Sequence, residues 1–94
     1  MDIKIINKFF AKYSSGTLVS YHYKDKTIVV YDSLIRTLWL NSEGARSITL
    51  KNRINSAIED LGLEFQLYQA HYAWYIKGPD GSIYQYRDRL ILHT

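Results

Sequence analysis

Between Thr49 and Gly62 the apolar residues Leu50, Ile54, Ala57, Ile58 and Leu61 recur at spacings of four, three, one and three. That spacing lines one face of a helix and fits no strand, so it predicts a three-turn helix over 49–61 that packs by a single stripe. Thr49 is the expected cap, its hydroxyl accepting from a first-turn amide, and Gly62 is suited to end the helix in a left-handed conformation.

Elsewhere the pattern is that of strands. Leu18 to Tyr23 and Thr27 to Tyr31 are rich in β-branched and aromatic residues around the polar connection Lys24-Asp25-Lys26, which predicts a β-hairpin. Ile35 to Leu40 alternates as a third strand, ended by Asn41-Ser42-Glu43-Gly44. Beyond the helix, Leu63, Phe65 and Leu67 alternate with Glu64, Gln66 and Tyr68. Tyr72 to Lys77 and Ser82 to Arg87 then flank Gly78-Pro79-Asp80-Gly81, a turn in which proline presets its own φ and glycine tolerates positive φ. Leu90 to Leu92 extends the last strand or adds another. Residues 2–13 fit two patterns. Ile3, Ile6, Phe10 and Tyr13 fall at helical spacing with Lys4, Lys8 and Lys12 on another side, which we read as a second helix, although the isoleucines and phenylalanines also suit a strand.

The expected fold class is therefore α+β: one domain over 1–94, a mainly antiparallel sheet of about five strands, and the helix packed on it. Opposing Lys77 to Ser82 across the glycine-proline turn pairs Tyr75 with Tyr84, Ala73 with Tyr86 and Ile76 with Ile83. Trp74, Ile76 and Ile83 then face the core, and Tyr75, Lys77, Tyr84 and Tyr86 share the other face. Exposed tyrosines beside a lysine suit stacking on bases or a protein interface, while tyrosine is also simply a good strand former.

Composition narrows the class of protein. With 94 residues and 47% hydrophobic content the chain supports one core. There is no cysteine, which removes disulfides and thiolate metal sites, and no apolar run nears the ~20 residues of a membrane span. We expect a cytoplasmic protein without an export or membrane segment. A net charge of +3 with pI near 9.2 favours acidic partners or nucleic acid.

The charge order along the helix runs against its dipole. Arg46, Lys51 and Arg53 crowd the positively polarised start while Glu59 and Asp60 lie near the end, costing about 0.3–1 kcal/mol per charge if uncompensated. A phosphate or carboxylate held by free first-turn amides and these cations would compensate; a solvated, mutually screened face is the alternative. Arg46, Lys51, Arg53, Tyr75, Lys77, Tyr84, Tyr86 and Arg87 are thus the candidate binding residues.

Catalysis finds little support. His22, His71 and His93 lie far apart and match no metal spacing, no glycine-rich phosphate loop follows a strand, and no serine sits in a nucleophile elbow. Asp25, Asp32, Glu59, Asp60 and Glu64 form no acid–base pair in sequence. No catalytic residue, metal or cofactor is assigned.

The run from Thr27 to Asn55, with two short strands, Ser47, Thr49, a basic stretch and Ile54-Asn55 at a helix start, resembles a segment of small phage-encoded accessory proteins. It covers about a third of the chain and departs from that pattern at Leu50 and Asn52. The resemblance implies a viral accessory protein that blocks a host defence by binding, in the manner of anti-CRISPR proteins, and implies no catalytic residues. Two readings follow: an inhibitor that occupies a host protein or nucleoprotein complex, and a nucleic-acid or nucleotide binder in which the cations meet phosphates and the tyrosines stack on bases. A homodimer through an exposed strand edge is left open by the sequence.

Overall fold

The computed structural model describes residues 1–94. Its single helix, α1 (Ile48–Asp60), buries Leu50, Ile54, Ala57 and Ile58, the stripe the spacing predicts, with Leu61 half-buried at the C-cap. Ser47 caps it in place of Thr49: its Oγ accepts the Leu50 amide at 3.1 Å. Gly62 follows with φ +74°, a left-handed position that glycine takes without a Cβ penalty.

Six strands precede or flank the helix in one antiparallel sheet: β1 (Asp2–Asn7), β2 (Phe10–Ser15), β3 (Leu18–Tyr23), β4 (Lys26–Asp32) and β5 (Thr37–Leu40), with β9 (Leu90–His93) joining β5 from the chain's far end. Three more, β6 (Gln66–Ala70), β7 (Ala73–Lys77) and β8 (Ile83–Gln85), make a second antiparallel sheet. The α+β class holds, with nine strands in two sheets in place of about five in one. Phe10, Tyr21, Val29, Leu38, Leu40, Leu90 and Leu92 from the large sheet meet the helix stripe and Leu67, Trp74, Ile76 and Tyr86 from the small one in a common core.

There is no N-terminal helix. Residues 2–15 form a hairpin turning at Lys8-Phe9, and β2 continues into β3 through Gly16-Thr17. A helix here would stack Lys4, Lys8 and Lys12 one turn apart in mutual repulsion, and would spend three isoleucines that favour extended backbone. The hairpin instead sends Phe10 into the core.

The final hairpin is displaced by one residue from the expected register. The Gly78 amide donates to the Ser82 carbonyl at 2.8 Å and Asp80 Oδ1 accepts the Ser82 amide at 3.0 Å, so Ser82 belongs to the turn. Lys77 consequently pairs with Ile83, Ile76 with Tyr84 and Tyr75 with Gln85. A one-residue slip exchanges the faces of the whole strand. Ile83 turns to solvent at 58% exposure, and Tyr86 enters the core beside Trp74, ring centroids 5.5 Å apart.

Candidate functional site

The helix-start cations do not converge. Arg46 bridges two connections: its Nη1 donates to Ser42 Oγ at 2.6 Å and to the Ala45 carbonyl at 3.0 Å within the β5–α1 segment, and to Asp88 Oδ1 at 3.3 Å in the loop before β9. Its guanidinium lies over Trp74 (5.2 Å) and Tyr86 (4.9 Å). Burial alone would raise the Asp88 carboxyl, but hydrogen bonds from Ser42, the Gly44 amide and Arg46 outweigh it and hold the group below the usual range. Arg46 therefore clamps β9 to the helix start. Lys51 is half-buried and joins no ion pair. Arg53 shares none of Arg46's partners and lies instead over Phe10 and Tyr23.

The predicted tyrosine face also divides. Tyr75 and Lys77 stay on the outer face of the small sheet, where Tyr75 stacks on Tyr68 at 5.9 Å. Tyr84 lies on the other face, exposed, and with Arg87 lines a shallow cavity of about 510 Å³ beside Pro79 and β9. Tyr86 is core, its hydroxyl donating to Asp88 and its own pKa raised chiefly by burial.

A different set of residues does come together. Lys8 sits over the Phe9 ring at 5.2 Å, and Lys24 over both Phe9 (5.7 Å) and Tyr23 (5.4 Å). Arg53 then lies over Tyr23 (5.7 Å) and Phe10 (5.8 Å). The result is an unbroken strip in which cations and aromatic rings alternate, drawn from the β1–β2 turn, the β3–β4 turn and the helix. Lys24 and Asp25 form that second turn with φ +49° and +63°, which swings Lys24 over the neighbouring hairpin. The Lys24 amide donates to the Phe9 carbonyl at 2.9 Å and ties the two tips together.

Beside the strip, Asn7, Lys8, Phe9, Tyr13, His22, Lys24 and Asp25 line a concavity of about 310 Å³. Part of its lining is aromatic. Tyr13 meets the His22 ring edge-on at 4.5 Å, His22 bridges Ser20 and Thr27 at 3.1 and 3.3 Å, and burial lowers the histidine's pKa. A smaller hollow of about 170 Å³ between Lys24, Lys26, Tyr23 and Ser47 continues the strip to the helix start. Arg53 Nε is buried without a hydrogen-bond partner. The guanidinium is thus held by rings more than by acceptors, and no carboxylate pairs with Lys8, Lys24 or Arg53. Of the residues expected from sequence only Arg53 belongs to this strip; the adjacency of cation and ring in Lys8-Phe9 and Tyr23-Lys24, both at turns, is the sequence signal by which the others could have been found.

Away from it, Asp60 at the helix end accepts from Lys12 Nζ at 2.8 Å and from the hydroxyl of the fully buried Tyr21. The Lys12 and Tyr21 hydrogen bonds hold the Asp60 carboxyl below its ordinary pKa. Burial first, then Asp60, pushes the Tyr21 phenol well above its own. This is a latch between helix and sheet. No three His, Asp or Glu side chains gather as a metal cluster, and no helix is long and apolar enough to cross a membrane.

Compared with known proteins, the chain matches no protein-family model, no curated protein and no solved structure.

Proposed function

We propose that the protein acts by binding and not by catalysis, seating the strip formed by Lys8, Phe9, Lys24, Tyr23 and Arg53 on a polyanionic partner, nucleic acid that is either free or exposed on a nucleoprotein complex. The carrying observation is the alternation of unpaired cations with aromatic rings along one continuous strip. Cations interleaved with rings suit a single strand, which offers phosphates along its backbone and bases projecting beside them: lysine meets phosphate as a point charge, and the half-exposed Phe9 ring offers a stacking face beside the concavity. Occupying such a surface is also how an accessory protein of phage type, the class the Thr27–Asn55 resemblance implies, would block a host complex.

The test is fluorescence anisotropy with a labelled single-stranded oligonucleotide over a salt series. Binding should weaken with salt, log K falling by about 0.7 per log unit of salt for each phosphate engaged. Lys8→Glu with Lys24→Glu should weaken binding at least about tenfold and flatten that slope, and Phe9→Ala should cost about 1–3 kcal/mol without changing it. No binding at low salt, or binding indifferent to both lysines, refutes a nucleic-acid partner.

A further inference from the structure

We infer that β1 is a self-association edge, pairing antiparallel with β1 of a second copy about a two-fold axis at Ile3. All six residues of β1 are exposed, with Ile3 at 58% and Ile5 at 68%. The direction of its backbone groups follows from one hydrogen bond. Because Lys24 donates to Phe9, the odd-numbered residues of β2 are those bonded to β3, and Phe10, Lys12 and Ser14 turn their amides and carbonyls to β1. Asp2 and Lys4, opposite Ser14 and Lys12, complete that ladder. Ile3 and Ile5, opposite Tyr13 and Ala11, therefore point theirs away from the sheet, into an open edge.

The molecule's other edges differ. On β6 the Asn55 side chain occupies the Leu67 backbone in both directions, at 2.8 Å each. β8 has three residues, and β9 is flanked by Pro79, Tyr84 and Arg87. Only β1 presents a long edge with nothing against it, the arrangement that proteins normally suppress.

Charge selects both the occupant and the register. Outward groups on Ile3 and Ile5 pair only with outward groups, which allows registers two residues apart. With Ile3 opposite the partner's Ile3, Asp2 lies opposite the partner's Lys4 and Lys4 opposite the partner's Asp2, both in the closer, non-hydrogen-bonded positions. Sliding two residues one way opposes Lys4 to the partner's Lys4; sliding the other way opposes Asp2 to the partner's Asp2. Only the first is attractive throughout, and it joins the isoleucines of both copies in one apolar strip on the outer face. This edge lies on a different strand from the Lys24, Tyr23 and Arg53 part of the binding strip, and the inference does not rest on the proposed function.

Sedimentation velocity from micromolar to millimolar concentration should show a monomer–dimer equilibrium. Ile3→Pro removes the outward amide and leaves the β1–β2 ladder intact, a substitution an edge strand accepts, so it should yield a monomer with unchanged circular dichroism and with the Tm of the wild type measured at dilution, where that too is monomeric. Asp2→Lys alone should weaken the dimer by about tenfold or more, and adding Lys4→Asp should restore it by exchanging the two charges. A wild-type monomer throughout, a dimer untouched by Ile3→Pro, or failure of the charge exchange to restore association overturns the inference. The charge pair keeps the test decisive even if the proline variant folds poorly.

Discussion

Asn55 is the perturbation that probes how the helix and the small sheet are joined. Its Nδ2 donates to the Leu67 carbonyl and its Oδ1 accepts the Leu67 amide, both at 2.8 Å, and Leu67 is buried. One side chain thus stands in for a neighbouring strand. Asn55→Ala removes two hydrogen bonds worth a net ~0.5–1.5 kcal/mol each, and leaves an amide and a carbonyl whose unsatisfied burial costs ~1–3 kcal/mol apiece where water cannot enter. Partial hydration of the opened edge places the expected loss at about 2–4 kcal/mol, roughly 10–25 °C in Tm for a domain of this size. Equilibrium urea unfolding, followed by fluorescence of the buried Trp74, measures it directly. Asn55→Asp separates the two bonds. Its ionised carboxylate still accepts the Leu67 amide but repels the carbonyl; the protonated form can donate to that carbonyl, so folding raises this carboxyl's pKa. Relative to Asn55→Ala, the aspartate variant should therefore gain stability as pH falls through that raised value. A loss below about 0.5 kcal/mol in Asn55→Ala would show that the paired bonds carry no net stability and that packing alone holds the sheets together.

Two other sites give expectations of different sign. Asp60, lowered by its Lys12 and Tyr21 hydrogen bonds, contributes stability that is complete above the ordinary aspartate pKa of about 4 and is lost as pH falls through its lowered folded value. Wild type should thus lose more stability than Asp60→Asn between neutral and acidic pH, and parallel urea-midpoint profiles would refute the latch. Arg46→Ala should cost roughly 1–3 kcal/mol by freeing Asp88 and uncovering Trp74 and Tyr86, with oligonucleotide affinity unchanged in the folded protein. Arg46→Lys should recover only part of that stability, because an ammonium cannot lie flat over two rings while reaching Ser42 and Asp88.

What the sequence determines here is local. The stripe of Leu50, Ile54, Ala57 and Ile58 and the stop at Gly62 specify the helix, because helical period and glycine's freedom at positive φ act over a few residues. The β3–β4 hairpin is legible for the same reason: β-branched runs flank a two-residue turn whose backbone sits at positive φ. The tertiary structure decided whatever depended on distant partners. Residues 2–15 satisfy helical and strand periods alike, and the offer of β3 as a pairing edge made them a hairpin. The final register turned on whether Ser82 joined the turn or the strand, and that single residue moved Tyr86 from the surface to the core and Ile83 from the core to the surface. Arg46 met Asp88, 42 positions along the chain, through a strand that crosses back to β5. Lys8, Lys24 and Arg53 form one strip because two hairpin tips and a helix arrive side by side. Spacing in sequence reports which residues share an element's face; which faces meet is set by long-range burial and strand pairing, energies that no local window contains.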